Sequence, residues 1–437
     1  MLKADFTKIN GVINPVHGVN NGPRTGHFLH DSSKWFKEAQ IPYSRLHDTE
    51  GAYGAGEFVD IPCVFKCFDA DPTDPKNYNF FLTDKYIEAI RECGTNVIYR
   101  LGVTIENGPI KRHIYPPKDY KKWARICEGV IAHYCEGWAD GYKDAVEYFE
   151  IWNEPEFTHH MWEGTFEEFY PLFKDTIIYL KKRFPNVKIG GPAGGFTSDE
   201  FIKGFFEYMN EGEKAPLDFL SYHNYFDSLD TIGREYKRVQ DTLKKYGRYG
   251  IPTFITEWNY VQDWENMKQT YEIFNDVRGA SFVAAAFCEM QRVGVNIANY
   301  YDAQFNSSFN GLFRRNDGKY RHDEAYGSAI KPAFRPFIAF NKVYQLKNQV
   351  ETVDEPKIKL AAATDGKKDA IFIGRFDDSE GAREEEFTLD VSGMGSKNVK
   401  LTLLSPDGES TEETFLPAVP SKIALRPYTF ALIEAER

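Results

Sequence analysis

The stretch Glu147-Tyr-Phe-Glu-Ile-Trp-Asn-Glu-Pro-Glu156 decides which fold the sequence predicts. Its apolar and aromatic residues form a run that is typical of a buried strand. Pro155 cannot continue a central strand, because it has no N–H for the ladder, so the strand should end close to Glu154. Asn153 and Glu154 therefore lie at the end of a buried strand, which is where barrels and doubly wound sheets place functional side chains.

A second stretch, Ile251-Pro-Thr-Phe-Ile-Thr-Glu-Trp-Asn259, has the same form. Apolar residues again lead into a single acid, Glu257, and an aromatic residue, Trp258, follows it. This pattern predicts a second buried strand that ends in a carboxylate. Because parallel strands of a barrel present their carboxyl ends at one mouth, the two acids are expected to face each other.

Between residues 8 and 346, strand-like runs alternate with helix-like runs. The predicted strands are residues 9–19, 42–46, 96–101, 147–154, 187–190, 217–225, 252–257 and 295–301. The predicted helices are residues 32–40, 83–94, 118–134, 165–184, 199–210, 228–246, 264–292 and 333–345. Eight such units predict an α/β fold, a (β/α)8 TIM barrel. A doubly wound sheet is the alternative, but no GxGxxG motif opens the first unit.

After residue 350 the pattern changes to short strands separated by turns such as Asp365-Gly and Asp407-Gly. The predicted strands are residues 357–363, 369–375, 385–389, 399–404 and 428–434. We therefore expect a catalytic barrel over residues 8–346 and an antiparallel β-sandwich accessory domain over residues 350–437. Residues 1–7 could add a strand to the sandwich.

Composition excludes several classes of protein. The net charge of −12 argues against a nucleic-acid partner, which selects for basic surfaces. No stretch approaches 18 uninterrupted apolar residues, so no membrane partner is expected. The six cysteines show no CxxC spacing, and the first residues lack the apolar segment of a signal peptide. A cytoplasmic location is expected, or secretion if a leader has been removed, and a homo-oligomer is left open.

Two facing carboxylates are what retaining glycoside hydrolysis requires, with one acid protonating the leaving oxygen and the other attacking the anomeric carbon. Glu154 fits the acid, because its apolar neighbours favour the neutral form. Glu257 fits the nucleophile if donors keep it ionised, and Arg45 and Tyr225 are the best candidates for those donors. This chemistry needs no cofactor. A metal site at Glu156, His159 and His160 is disfavoured, since adjacent histidines do not easily reach one ion.

These motifs make the resemblance to known proteins specific. Trp152-Asn-Glu-Pro155 with Ile255-Thr-Glu-Trp258 resembles the clan of retaining (β/α)8 glycoside hydrolases whose acid and nucleophile end strands four and seven. Arg45-Leu-His47 and Asp218-Phe-Leu-Ser-Tyr-His-Asn-Tyr225 resemble glycoside hydrolase family 39, the β-xylosidase and α-L-iduronidase family. Two positions depart from that family, because Glu156 stands where Asn is common and Trp258 stands where Phe is usual.

The resemblance implies Glu154 as acid/base and Glu257 as nucleophile. It also implies several substrate contacts. Together with the residues predicted above, the candidate substrate contacts are Arg45, Asn153, His47, His223, Tyr225, Trp258 and His17. Further aromatic residues could act as sugar platforms: Trp162, Trp264, Tyr300 and Tyr301. The expected activity is that of a retaining exo-glycosidase, β-xylosidase-like, acting on oligosaccharides or small glycosides. The alternatives are an arabinosidase, a glucosidase or galactosidase, a uronidase, or a barrel that binds carbohydrate without cleaving it.

Overall fold

The structure is a computed structural model that describes residues 1–23, 31–49, 57–105, 110–303, 311–314 and 329–437. The first strand, β1 (Leu2–Val12), lies in a C-terminal sheet. The next eight strands are parallel and close into a barrel, confirming the predicted fold class. They are β2 (Gly18–Asn20), β3 (Tyr43–Leu46), β4 (Asn96–Leu101), β5 (Tyr148–Ile151), β6 (Lys188–Gly194), β7 (Leu220–Phe226), β8 (Thr253–Tyr260) and β9 (Ile297–Tyr300).

Helices surround the barrel. The α-helices of the described residues are α1 (Ser33–Ala39), α2 (Ile61–Val64), α3 (Phe81–Glu92), α4 (Tyr120–Cys135), α5 (Phe166–Arg183), α6 (Asp199–Asn210), α7 (Leu229–Lys245), α8 (Met267–Phe274), α9 (Val277–Val293) and α10 (Arg335–Tyr344). Short 3-10 turns lie at Pro75–Asn77, Trp138–Asp140 and Pro332–Phe334. Not one of these helices is both long enough and apolar enough to cross a membrane.

Two element predictions were wrong. Residues 9–19 were expected to form the first barrel strand, but β1 takes residues up to Val12 into the C-terminal sheet and β2 begins only at Gly18. Residues 264–292 were expected to form one helix, but the chain breaks between α8 and α9. The Asp276 side chain accepts a hydrogen bond from the Arg278 N–H at 2.8 Å, and this cap starts α9 as a separate helix.

The remaining strands build the C-terminal sheet. A two-strand ladder, β10 (Phe313–Arg314) with β11 (Ala329–Ile330), lies outside it. The sheet strands are β12 (Asn348–Val353), β13 (Ile358–Thr364), β14 (Lys368–Phe376), β15 (Glu385–Ser392), β16 (Lys397–Leu404), β17 (Thr411–Phe415), β18 (Lys422–Leu425) and β19 (Tyr428–Glu436). Their order is β17-β16-β19-β14-β13-β12-β1-β15-β18, with β1 parallel to β15 and the other pairs antiparallel.

The C-terminal sheet is continuous and encloses its own core. One buried cluster joins strands from both ends of the sheet, including Leu389 of β15, Val399 of β16 and Ile423 of β18. The outer face of β14 presses on α9, where a Cβ added to Gly374 would lie 2.4 Å from the backbone nitrogen of Ala285. Glycine is therefore required at this contact between the barrel and the sheet.

The barrel interior changes from apolar to polar along the strands. Near the strand starts, side chains fill the barrel with a layer that we call the aromatic floor: Tyr43, Ile98, Tyr148, Phe219, Phe254 and Ile297. The rings of Phe219 and Phe254 stack with their centroids 4.4 Å apart. Because side chains alternate along a strand, the next inward residues stand above this floor. They include Arg45 and Glu150, both with no exposed side-chain area.

Candidate active site

The end of β5 is built by left-handed backbone at two residues that are not glycine. Trp152 has φ 69° and Glu154 has φ 43°. The Trp152 indole Nε1–H donates to the Met161 carbonyl at 3.0 Å, and the Glu154 N–H donates to the Ala193 carbonyl at 2.9 Å. Such conformations cost free energy and persist only where the surroundings fix them, so the turn that aims Glu154 is held in place.

A cavity of about 940 Å³ opens at the carboxyl end of the barrel. It is lined by His47, Asp48, Ile105, Asn153, Glu154, Phe157, His160, Met161, Gly195, Phe196, Thr197, His223, Asn224, Tyr225, Thr231, Glu235, Arg238, Glu257, Trp264 and Tyr301. Six of the nine site residues predicted from sequence are in this lining: His47, Asn153, Glu154, His223, Tyr225 and Glu257. The cavity therefore lies where the two acidic strand ends meet.

The two glutamates form a close pair. A carboxylate oxygen of Glu154, one of Glu257 and a ring nitrogen of His223 all lie within 4.8 Å of one another. His223 Nδ1 lies 2.8 Å from Glu154 Oε1 and 3.5 Å from Glu257 Oε2. Carboxyl groups about 5–5.5 Å apart are typical of retaining glycosidases, whereas inverting enzymes separate them by about 6.5–9.5 Å. The spacing here corresponds to the retaining geometry.

Glu257 receives the stronger set of donors. The Tyr225 hydroxyl donates to its Oε1, and Arg45 Nη1 lies 3.3 Å from its Oε2. Arg45 is itself fixed, because its Nε donates to Glu150 Oε2 at 2.6 Å and its Nη2 donates to Asn153 Oδ1 at 2.6 Å. A guanidinium held by these two side chains cannot turn away from the carboxylate, so it favours the ionised form of Glu257.

Burial raises the pKa of both Glu154 and Glu257 to about 7. Like charges this close oppose double ionisation, so the pair holds one proton near neutral pH. Glu257 is the residue that loses its proton first, because Arg45 and Tyr225 both stabilise its charge. Glu154 is left as the protonated partner. Burial also lowers the pKa of His223 to about 4, so its ring is neutral.

Three buried polar atoms in the cavity wall have no hydrogen-bond partner within the described structure. They are Asn153 Nδ2, His223 Nε2 and His47 Nδ1, and these residues are 1%, 2% and 3% exposed. Buried polar groups normally find partners, since leaving one unpaired costs about 1–3 kcal/mol. All three residues line the cavity.

Glu154, His223 and Glu257 are also the described residues that could share a metal ion. His223 already bonds Glu154, and the Arg45 guanidinium beside Glu257 places a positive charge against any cation at this point. The donor set is therefore that of a hydrogen-bonded carboxylate pair rather than that of a preformed ion cage.

Two predicted substrate contacts were wrong. His17 has no exposed area and packs against the rings of Phe340 and Tyr344, with centroids 5.3 Å and 4.9 Å away. It precedes β2, at the end of the barrel away from the cavity. Trp258 also has no exposed area, because its ring packs edge-on against Phe287 on the helical side of β8. Neither residue lines the cavity.

The other predicted residues are placed as follows. Arg45 lies below the cavity and touches it only through Glu257 and Asn153. Of the aromatic candidates, Trp264 and Tyr301 line the cavity. Trp162 and Tyr300 are buried in the core instead, at 0% and 1% exposed.

Sequence reasoning missed Glu150 and Asp48. Glu150 interrupts the apolar run of β5, and a charged residue on the inward face of a buried strand was the available signal. Asp48 lines the cavity with a left-handed backbone, and its Oδ2 accepts a hydrogen bond from the Tyr301 hydroxyl at 2.6 Å. Burial raises the pKa of Asp48 to about 6. Of these two neighbouring residues, the sequence analysis predicted only His47 as a substrate contact.

Comparison with known proteins shows a family match. The sequence model for the glycosyl hydrolases family 39 matches residues 63–385. A β-xylosidase of Caldicellulosiruptor saccharolyticus is 23% identical over 327 residues, covering 68% of this chain and 63% of the relative. A β-xylosidase of Geobacillus stearothermophilus is 26% identical over 321 residues, covering 66% of this chain and 61% of the relative. The chain thus spans less than two thirds of the length of these relatives.

Solved structures share the fold over the whole chain. A glucosidase from Croceicoccus marinus has a TM-score of 0.78 at 21% identity, covering 100% of this chain and 98% of that one. A monomeric β-xylosidase from Caulobacter crescentus has a TM-score of 0.68 at 16% identity, covering 100% and 99%. An α-L-arabinofuranosidase from Thermotoga maritima has a TM-score of 0.71 at 17% identity, covering 100% and 99%.

Proposed function

The chain belongs to glycosyl hydrolase family 39, and from that premise we propose that it hydrolyses glycosides with retention of anomeric configuration. The observation that carries this proposal is the buried pair of Glu154 and Glu257, with oxygens within 4.8 Å of each other. That spacing leaves no room for a water molecule between the sugar and the nucleophile, so direct attack by a carboxylate is favoured.

In the first step, a carboxylate oxygen of Glu257 attacks the anomeric carbon. The bond between that carbon and the glycosidic oxygen breaks, and Glu154 gives its proton to the departing oxygen. The products are a free leaving-group alcohol and a glycosyl ester of Glu257. Arg45 and Tyr225 keep Glu257 ionised before the attack, which makes it available as a nucleophile.

In the second step, Glu154 is now a carboxylate and removes a proton from water. That water attacks the anomeric carbon and releases the sugar, while the ester bond to Glu257 breaks. Two inversions give net retention. Glu154 acts as an acid in one step and a base in the other, so its pKa of about 7 suits both roles near neutral pH.

The three unpartnered atoms in the cavity wall support a sugar at this position. Asn153 Nδ2 is a donor, and its carbonyl oxygen is fixed by Arg45, so the amide presents its N–H groups in one direction. It is suited to hold the 2-hydroxyl group, whose hydrogen bonds strengthen in the transition state. His223 uses Nδ1 in its hydrogen bond with Glu154 Oε1, which leaves Nε2 as the ring nitrogen that can bond a sugar hydroxyl.

The glycone that we propose is β-xylose, released from the end of an oligosaccharide or small glycoside. This choice follows the two related β-xylosidases. Glucose and arabinose are the next sugars to test, because a glucosidase and an arabinofuranosidase have similar folds. Uronides and galactosides are the remaining glycosides to test.

The test is hydrolysis of a panel of p-nitrophenyl glycosides by wild-type protein and the Glu154→Ala variant. We expect one sugar to be favoured, with the variant sparing good leaving groups and failing on poor ones, because only poor leaving groups need the proton. Proton NMR at early times should show the retained anomer first. Sugar binding without turnover of any glycoside would replace this proposal with a barrel that binds carbohydrate only.

A further inference from the structure

A third carboxyl group lies close to the acid but outside the catalytic pair. Glu156 follows Glu154 by two residues, and it is not among the residues that line the cavity. Its carboxyl group packs against the end of β6, where a Cβ added to Gly194 would lie 3.1 Å from each of its two oxygens. Because a side chain at residue 194 would crowd the carboxyl group, this close approach depends on glycine.

Two hydrogen bonds join the turn after β5 to the end of β6 and the turn that follows it. The Glu154 N–H donates to the Ala193 carbonyl at 2.9 Å, and the Phe196 N–H donates to Glu156 Oε1 at 2.6 Å. Ala193 and Phe196 both have left-handed backbones, with φ 55° and 51°. Residues other than glycine keep this conformation only where their surroundings fix it. The carboxyl group of Glu156 thus holds the second turn against the turn that carries the acid.

The second oxygen of Glu156 is buried, and in the part of the chain that the structure describes it has no hydrogen-bond partner. Burial raises the pKa of Glu156 to about 7, and the negative charge of Glu154 adds to this rise. The interaction is reciprocal, because a charge on either carboxyl group makes the loss of the second proton harder. An ionised Glu156 therefore favours the protonated form of Glu154, which is the form that the first step of hydrolysis needs.

Two other ionisable groups lie near this carboxyl group. Tyr170 of α5 is close enough that the charge of Glu156 adds to the rise that burial causes in its pKa. Arg238 of α7 donates to the Phe196 carbonyl at 2.7 Å. Tyrosine stays neutral near pH 7 and arginine stays charged, so Glu154 is the neighbour whose protonation responds to the charge of Glu156.

We propose that Glu156 is a positioning residue for the acid. Its carboxyl group joins the turn after β6 to the turn after β5, and its negative charge delays the loss of the proton from Glu154. This inference rests on the proposed hydrolysis, and it adds a residue that acts on the acid without touching the substrate. Glu156 is also one of the two positions at which the sequence departs from the family pattern, so the effect belongs to this chain.

The first test is the pH profile of Glu156→Gln, measured as kcat/KM on the phenyl glycoside of the preferred sugar. Glutamine keeps an oxygen that can accept from the Phe196 N–H but carries no charge. The basic limb should move to lower pH by about one unit, because no neighbouring charge then opposes the ionisation of Glu154. The acidic limb, which Glu257 sets, should stay in place. A basic limb that does not move would overturn the inference.

Glu163→Gln is the matched control for the loss of a charge. Glu163 lies in the same segment after β5, and its side chain is 29% exposed and contacts His159 at 3.2 Å. This variant should leave both limbs of the pH profile where the wild-type protein has them. A shift as large as that of Glu156→Gln would show a general effect of net charge and would count against a specific role for Glu156.

The second test separates the hydrogen bond from the charge. Glu156→Ala removes both, so its kcat on the phenyl glycoside should fall about tenfold below that of Glu156→Gln, while kcat on the p-nitrophenyl glycoside is spared. Only the poor leaving group needs a well-placed proton. Equal losses on the two substrates would show a general defect in folding and overturn the positioning role. If the alanine variant does not fold, the pH profile of Glu156→Gln decides alone.

These outcomes are distinct from those for the proposed function. Identical pH limbs in wild-type protein and Glu156→Gln would remove the role of Glu156, while the loss of activity in Glu154→Ala would leave the hydrolase intact. Absence of turnover of every glycoside by wild-type protein would overturn both proposals.

Discussion

The two ends of the barrel interior are built from the same strands but differ in the side chains that fill them. At the aromatic floor, Phe219 and Phe254 stack 4.4 Å apart and every inward side chain is apolar or a tyrosine. Above the floor, Arg45, Glu150, Asn153 and Glu257 are buried and charged or polar, and Glu150 Oε1 and Asn153 Nδ2 have no hydrogen-bond partner among the described residues. The floor is packed for stability, whereas the layer above it keeps polar atoms unpaired.

Backbone geometry shows the same contrast. Left-handed residues that are not glycine occur at the mouth, at Asp48, Trp152, Glu154, Ala193 and Phe196. Five of the six floor residues lie within strands, and Phe219 immediately precedes β7. Strain of this kind costs about 1–3 kcal/mol for each residue and is tolerated where the surrounding packing supports it. We infer that packing in the floor offsets part of the free energy that the left-handed residues at the mouth cost.

Among variants that test this contrast, Glu257→Ala is expected to have the largest effect on activity. Loss of the nucleophile should lower kcat by on the order of 10⁵-fold, while the free energy of unfolding changes little, since Arg45 keeps Glu150 as its partner. Added azide should enter the vacated space and yield a glycosyl azide of inverted configuration. Hydrolysis at the wild-type rate would show that Glu257 is not the nucleophile.

Glu154→Gln should have the next largest effect, lowering kcat on poor leaving groups by about 10²–10⁴-fold. The wild-type pH profile should be bell-shaped around neutral pH, because burial raises the pKa of both carboxyl groups to about 7. Activity falls at low pH as Glu257 gains a proton and at high pH as Glu154 loses one. The variant should therefore lack the basic limb, and a basic limb that survived would identify another proton donor.

The floor is tested by Phe254→Ala. Removing a buried ring should destabilise the protein by about 3–5 kcal/mol, because the stacked Phe219 loses its partner and a cavity remains. Urea unfolding measures this loss. The pH limits of activity should not move, since the site lies at the other end of the strands, and a shifted limb would show that the two ends are not independent.

Tyr225→Phe should have a smaller effect at the mouth. Removing the hydroxyl that donates to Glu257 should raise the pKa of that carboxyl group and move the acidic limb to higher pH. The loss in kcat/KM at neutral pH should be about tenfold, as for one hydrogen bond to a charged group. An acidic limb that stays in place would mean that Arg45 alone sets the ionisation of Glu257.

The smallest effect is expected for His17→Phe. Both ring nitrogens of His17 lack hydrogen-bond partners in the part of the chain that the structure describes. Burial lowers the pKa of His17 to about 3 from 6.5, so the folded protein resists a protonation that the unfolded chain accepts. Wild-type stability should therefore fall as the pH drops from about 6.5 towards 3, and the variant should lose less. Above pH 7, a gain of about 1 kcal/mol and unchanged kcat/KM are expected.

Patterns with a strict period were predictable from the sequence. Most of the strand–helix units, and the two acids that lie just after β5 and within β8, follow from apolar runs in the sequence. The family resemblance also predicted His223 and Tyr225 as site residues. The predictions that His17 and Trp258 contact the substrate failed. A sequence motif shows which residues are close together in the chain, but it does not show the face of a strand to which each side chain turns. The left-handed turns at Asp48 and Phe196 depend on tertiary contacts, so no local pattern indicated them.

The position of β1 has a consequence for the order in which the protein assembles. Lys3 pairs with Val353 and also with Asp390, so β1 lies between two strands that follow the barrel in the chain. The buried cluster that contains its apolar residues Leu2 and Phe6 also includes Ala435, so this core cannot close until β19 has been synthesised. Because long-range pairing is slow, the barrel can form first, and the C-terminal sheet then joins β1, which precedes the barrel, to strands that follow it.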